Sequence, residues 1–226
     1  MPETGESAAV EVAIVGGTGA LGSGLALRAL RAGVSVCIGS RSPDKAEAAA
    51  ARLFAQVPRA KVFGKANPEA AALGRLVIVT VPFASQLDTL DEIRDHVRDK
   101  IVVDTTVPLV PPKVARVQLP PEGSAALRAR TALGDDVSLV SAFHNVAAAH
   151  LASDHPIDCD ILVFGDRAAA RETVAALVAR MGLRAWHGGS LANSAAAEAL
   201  TSVLLFVNRH HKIAGAGLRI TGQAAD

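Results

Sequence analysis

Few residues in this chain of 226 could grip an anionic ligand or move a proton, and they fall into three groups. The first is a glycine run, Gly16-Gly17-Thr18-Gly19-Ala20-Leu21-Gly22; the second is Ser40, Arg41 and Lys45; the third is His144 with Asn145. From Gly17 to Gly22 the run has the spacing G-x-G-x-x-G. There the first glycine makes a tight turn, the second lets backbone approach a pyrophosphate, and the third lets a helix pack closely on a strand. The helix N-terminus adds unpaired N–H groups and partial positive charge. A glycine-rich turn chosen only for packing would use the same letters, so the flanking elements decide.

Those flanks fit. Val10-Glu11-Val12-Ala13-Ile14-Val15 is short and rich in β-branched residues, a strand, and from Ser23 to Leu30 the apolar positions recur at helical spacing. Gly33 ends that helix and Val34 to Ile38 makes a second strand. A NAD-binding protein places an acid about 20 residues beyond the glycines, to accept the ribose 2′-hydroxyl. Here the segment reads Gly39-Ser40-Arg41-Ser42-Pro43-Asp44-Lys45. A hydroxyl, a guanidinium and an ammonium suit a 2′-phosphate, each charge-assisted hydrogen bond contributing about 1.5–3 kcal/mol. Ser42 as N-cap with Pro43 at the first helical position puts Lys45 in the opening turn of the next helix. NADP is therefore preferred to NAD, against the plainer reading of Arg41 and Lys45 as solvated loop charges.

Further on, Leu76 to Val81 is a continuous apolar run, as a central parallel strand requires, and it ends in Pro82-Phe83 at the sheet edge where ligands bind. Phe83 is read either as a surface cap or as a neighbour of the nicotinamide. A helix over 85–98 and a strand Ile101–Asp104 follow. Residues 105–123 hold five prolines, which excludes a regular element and predicts a long loop or lid. After a helix over 124–133, the strand Val137–Phe143 delivers His144 to its carboxyl end. The remaining segments are a strand around Cys159–Asp166, a helix Arg167–Met181, a short strand Leu183–Trp186, and a long helix from Asn193 to His211. That last helix is apolar on most sides, which predicts a core or subunit-interface position.

Reduction of a carbonyl or imine calls for a proton donor beside the hydride, yet the chain has no tyrosine, and His144 is the only well-placed acid. Hydride exchange between two flat ring cofactors needs positioning more than an acid, which this scarcity favours. No Walker loop, H-E-x-x-H or G-x-S-x-G motif is present, and adjacent His210 and His211 point apart on a helix, so no metal is expected.

Composition agrees. Lys and Arg total 23 against 22 Asp and Glu, without a basic run, so nothing argues for nucleic acid. Cys37 and Cys159 lack metal or redox spacing and read as buried reduced thiols, with a disulfide as the alternative. Residues 1–9 read as a polar tail without signal-peptide character, and the strongly apolar run Val203–Val207 is too short to cross a membrane. A cytoplasmic protein follows. The pattern predicts an α/β protein: a Rossmann-type doubly wound parallel sheet over 10–152, then a smaller C-terminal α/β domain over 153–226.

Taken together, Val15–Gly22, Gly39-Ser40-Arg41 with Lys45, Thr80-Val81-Pro82, Ser141–Asn145, Gly165-Asp166 and Leu218–Gly222 resemble the F420-dependent NADP oxidoreductase family. The resemblance implies hydride exchange between NADP(H) and the deazaflavin coenzyme F420, in a homodimer. It implies that Gly17, Thr18, Gly19, Ala20 and Leu21 cover the pyrophosphate and that Ser40, Arg41 and Lys45 hold the 2′-phosphate. Val81, Pro82, Phe83 and Leu87 would lie along the nicotinamide. His144, as a positioning residue, would line the deazaflavin pocket with Asn145, Val146 and Ala148. Asn208–Gly217 and the proline-dense lid depart from the family pattern. Two other functions compete: NADPH-dependent reduction of a flavin, imine or carbonyl, and a non-enzymatic NADP-sensing module.

Overall fold

The computed structural model describes residues 10–222; the 1–9 tail lies outside the described residues. The first half runs β1 (Val10–Val15), α1 (Ala20–Arg31), β2 (Val36–Ser40), α2 (Pro43–Gln56), β3 (Val62–Ala66), α3 (Asn67–Leu73), β4 (Gly74–Val79) and α4 (Gln86–Ile93). The second half runs β5 (Ile101–Asp104), α5 (Ala125–Leu133), β6 (Ser138–Ser141), α6 (Ala148–Ala152), β7 (Asp160–Gly165), α7 (Ala168–Arg180), β8 (Arg184–Gly189) and α8 (Ser194–His211). Residues 105–123 hold no helix or strand, as their prolines require.

All eight strands form one sheet in the order β3-β2-β1-β4-β5-β6-β7-β8. Pairing is parallel from β3 to β6, so the carboxyl ends of these strands share one edge. The β-branched runs are buried on both faces. Val12 and Ile14 of β1 join one apolar cluster with α1, α2 and α7, while Ala13 and Val15 join another with α3, α4 and α5. Helices thus cover both faces, as an all-parallel segment demands.

The sequence predicts a separate C-terminal α/β domain, and the structure shows none. β7 pairs antiparallel with β6 through Val140↔Gly165 and Ser141↔Phe164, and β8 continues parallel to β7. β6 would otherwise leave an unpaired edge, and the returning strand satisfies it.

The long helix, expected in a core or a subunit interface, is buried along one side only. Its buried positions are Ser194, Ala197, Glu198 and Ser202, whereas Val203 and Phe206 are 46% and 54% exposed. Helix α8 therefore turns its polar and small side toward the body. By length and composition Leu191–His211, mean hydropathy 1.3, could cross a membrane. Its polar groups are instead committed to the body: Glu198 accepts from Ala125 N (2.6 Å) and Ala126 N (3.1 Å), and Thr201 donates to His144 O (3.0 Å).

Glu198 sits in a buried polar knot that holds the ends of the proline-dense loop. Its carboxylate caps the N-terminus of α5, beside Ser124, whose Oγ accepts from Leu127 N. Asp104, at the end of β5, accepts from Gln86 Nε2 (2.7 Å) and from Thr106 N and Oγ1. Gln86 Oε1 has no partner among the described residues. Burial pushes the Glu198 carboxyl up to about 7 and the Asp104 carboxyl up to about 6, despite the donors that favour their charged forms. Both thiols, Cys37 and Cys159, are buried and free, and burial raises the Cys37 thiol to about 11.

A carboxyl whose folded pKa is raised keeps a proton that the unfolded chain has released. Its stabilising contribution is full below about pH 4 and is lost as pH rises toward 7. Buried His144 has the opposite slope, because its folded pKa is lowered to about 4. The difference between wild type and Glu198→Gln isolates the carboxyl. Urea unfolding across pH 5–8 should show Glu198→Gln gaining on wild type as pH rises, by about 1–3 kcal/mol over the range. A pH-independent difference would show that Glu198 carries no such strain.

Candidate active site

The glycine loop lies between β1 and α1, and each glycine has a different reason to be there. A Cβ on Gly17 would come within 2.6 Å of Ile14 O, and one on Gly22 within 2.6 Å of both Gly17 Cα and Thr80 Oγ1. These two are required by protein packing, and so is Gly16, at φ +71°, where a Cβ would meet Val81. Gly19 is unlike them: a Cβ there would meet no protein atom closer than 3.7 Å. Its bare backbone faces open space in front of α1, a helix with no acidic residue in its first turn and no side-chain cap. The first amides of α1 therefore remain free donors toward that space. This is the cradle that a pyrophosphate fits.

The cleft in front of the loop, about 270 Å³, brings together Thr18, Gly19, Ser40, Arg41, Lys45, Val81 and Pro82 of the predicted residues. Ser42 is the N-cap of α2 and Pro43 opens it, although the Ser42 side chain makes no cap bond. Ser40 Oγ accepts from Ser42 N (3.2 Å), which folds the turn so that Arg41 and Lys45 stand at its rim. Both cations are exposed, and neither is in an ion pair among the described residues. The cleft also contains Asn67, which the sequence offered only as a helix start. Asn67 is 1% exposed; its Oδ1 accepts from Gly16 N (3.3 Å) and its Nδ2 donates to Glu92 (3.1 Å). It ties the glycine loop to α4. Thr80 does similar work, donating from Oγ1 to Val15 O (3.0 Å).

Gly17, Ala20 and Leu21 do not line this cleft: Gly17 is buried, with its N donating to Gly39 O (3.0 Å), Leu21 is half-buried and Ala20 is exposed at the start of α1. Phe83 stands next to Pro82 with the Arg128 guanidinium 4.5 Å above its ring. Leu87 is not brought to this cleft. It faces a separate depression with Asp91, Glu122 and Arg128, because it lies on the outer side of α4.

His144 follows β6, two strands from β4, so about 10 Å along the same carboxyl edge. With Asn145 and Val146 it borders a pocket of about 140 Å³ closed by Ala147, by Thr201, Leu204, Leu205 and Asn208 of α8, and by Ala216. Ala148, the first residue of α6, is not at this pocket. His144 Nε2 is 2.8 Å from Ser141 Oγ, and burial holds its pKa down at about 4. The ring is therefore neutral at physiological pH, with Nδ1 making no hydrogen bond among the described residues. Asn145 donates from Nδ2 to Ala197 O (2.9 Å) and Thr201 Oγ1 (3.1 Å), fixing the loop to α8. The α8 residues were invisible as pocket residues in the sequence, because nothing local ties that helix to the loop after β6.

Residues 11–108 match the family described as NADP oxidoreductase, coenzyme F420-dependent. The chain is 40% identical over 220 residues to the F420-dependent NADP reductase of Methanothermobacter thermautotrophicus, covering 94% of this chain and 95% of that protein. It is 39% identical over 221 residues to the F420-dependent NADP reductase of Methanocaldococcus jannaschii, covering 94% and 98%. A candidate F420-dependent NADP-reductase structure from Arthrobacter sp. FB24 superposes with a TM-score of 0.80 at 23% identity, covering 94% of this chain and all of that one, which shows a shared fold. With full-length identity near 40% and the glycine-loop site in place, the chain belongs to the F420-dependent NADP oxidoreductase family.

Proposed function

We propose that this protein transfers hydride between NADP(H) and the deazaflavin coenzyme F420. The observation that carries this reading is the placement of two unlike sites on one sheet edge. One is a glycine-loop cleft rimmed by exposed cations, and the other is a pocket beside a neutral histidine. When bound, the nicotinamide and the deazaflavin supply the two ring carbons between which the hydride passes.

The chain's own residues bind and orient. The amides of α1 from Ala20 onward, with Thr18 and Gly19, take the pyrophosphate, and Ser40, Arg41 and Lys45 take the 2′-phosphate. Asn67 holds the glycine loop in shape, and Val81, Pro82 and Phe83 bound the nicotinamide side. His144, Asn145 and Val146 orient the second ring, with Leu204 and Leu205 excluding water. A neutral His144, already bonded to Ser141, serves as a hydrogen-bonding post and not as a proton source.

The exposed apolar side of α8, with Val203 and Phe206, is read as the seat of a second copy of this chain in a homodimer. Residues 10–152 carry the nucleotide site, and 153–226 supply α8 and the pocket wall.

NADPH mixed with oxidised deazaflavin and protein should bleach the deazaflavin absorbance; protein that binds NADPH but never turns over would leave only the sensing module. Replacing both Arg41 and Lys45 by alanine should weaken NADPH binding by about 10- to 100-fold per lost charge-assisted contact while leaving NADH unchanged, measured by titration calorimetry. Equal losses for both nucleotides would place the 2′-phosphate elsewhere.

His144→Ala should raise KM for the deazaflavin about tenfold and leave the shape of the kcat–pH profile between pH 5.5 and 8 unaltered. A lost limb in that profile, with most of kcat gone, would make His144 an acid and favour an imine or carbonyl substrate.

A further inference from the structure

Beyond α8 the chain does not trail away. Residues 212–222 turn back at Lys212, which is in the left-handed region at φ +56°, and run along the loop that carries His144. The start of this strap is pinned by Asn208, whose Oδ1 accepts from Ala216 N (2.8 Å) and whose carbonyl accepts from Ile213 N (3.1 Å). In its middle, only glycines fit. A Cβ on Gly215 would come within 2.7 Å of His150 Nε2 and 2.9 Å of Ala147 Cβ, and one on Gly217 within 2.6 Å of Cys159 Sγ. Between these two glycines Ala216 forms part of the pocket wall.

The far end of the strap is held around one residue. Asp160, at the start of β7 and 4% exposed, donates from its backbone N to Leu218 O (2.7 Å) and accepts Ile220 N on Oδ2 (2.7 Å). Its carboxylate is gripped by Arg184 Nε and Nη2, both at 2.7 Å, and by Trp186 Nε1 (2.9 Å). Arg219 adds an ion pair to Asp158 alongside. A bidentate arginine and two further donors make Asp160 far more than a solvated surface acid. The Arg184 bond holds its carboxyl below the usual range, so the grip persists across physiological pH. None of these groups touches the nucleotide cleft.

We propose that Asp160 is a positioning residue: it latches the C-terminal strap, and the latched strap sets the wall of the pocket beside His144 and so the affinity for the ring bound there. This rests on the reading of that pocket as the deazaflavin site. The Asp160 carboxylate acts on the second substrate only, through Ile220, because the strap packs on the His144 loop and not on the glycine loop.

The test compares Asp160→Asn, which keeps the shape but loses the charge, with Ala216→Leu, which fills the pocket wall directly. Steady-state kinetics with purified F420 and calorimetric NADPH binding are measured on full-length folded protein. Asp160→Asn should raise KM for the deazaflavin about tenfold with kcat and NADPH affinity within about twofold of wild type, and Ala216→Leu should raise the same KM. If Ala216→Leu raises KM and Asp160→Asn does not, the latch is refuted while the pocket assignment stands. If neither raises it, the pocket is not the deazaflavin site and the proposal falls with that reading. A rise with Asp160→Asn alone means that the strap does not act at the Ala216 wall, which also overturns the proposal. So does a parallel loss of kcat, KM and NADPH affinity that follows the folded fraction. Should Asp160→Asn fail to fold, Arg184→Gln, at the exposed end of the pair, is judged by the same criteria.

Discussion

The seating of α1 on the sheet is the contact on which both pockets depend. It is possible only because Gly22 meets Gly17 with no side chain between them, at a separation where one Cβ would stand 2.6 Å from Gly17 Cα. With α1 so close, its free amides point into the cleft. The same helix then reaches the second pocket through its other end. A Cβ on Gly24 would be 2.8 Å from Leu151 Cβ, and Arg28 donates to Leu151 O, His150 O, Ser153 O and His155 O at 2.8–3.1 Å. Arg28 thereby fixes α6, which follows directly on the His144 loop. One helix thus turns its N-terminus to the proposed nucleotide cleft and braces the loop of the second pocket further along.

Chemistry follows from what surrounds each ionisable group. Arg41 and Lys45 are exposed and in no ion pair among the described residues, so they meet an anionic ligand without first breaking such a contact. His144 is buried, bonded to Ser141 and neutral, which makes it a poor proton donor and a good fixed hydrogen-bonding post. The buried carboxyls Asp104 and Glu198 look outward from this chemistry. They join α4, α5 and α8 at the two ends of the proline-dense loop, and so anchor that loop.

Much of this was legible from residues alone, for identifiable reasons. The glycine loop, Ser40, Arg41 and Lys45 are close in sequence, so local spacing carries their geometry, and the central strands β1, β4 and β5 announced themselves by β-branched runs. The C-terminal third was not legible in that way. Whether β7 and β8 begin a new domain or extend the first sheet depends on an edge pairing between residues more than 20 positions apart. The orientation of α8 was hidden for a different reason: its small and polar side, with Glu198, is the buried one, inverting the usual periodicity argument. Asn67, Thr201 and Asp160 act through long-range bonds to Gly16, His144 and Ile220, and no short motif reports such partners.

The account's central claim is that the two rings meet face to face at one sheet edge and exchange hydride with no proton relay through the protein. NADPH carrying deuterium at nicotinamide C4, on the transferred face, tests it most directly when the reduced deazaflavin is recovered from single turnovers in ordinary water. The account predicts that the label appears quantitatively on the deazaflavin ring carbon. Label lost to solvent, or found on neither cofactor, would contradict direct transfer between the two pockets.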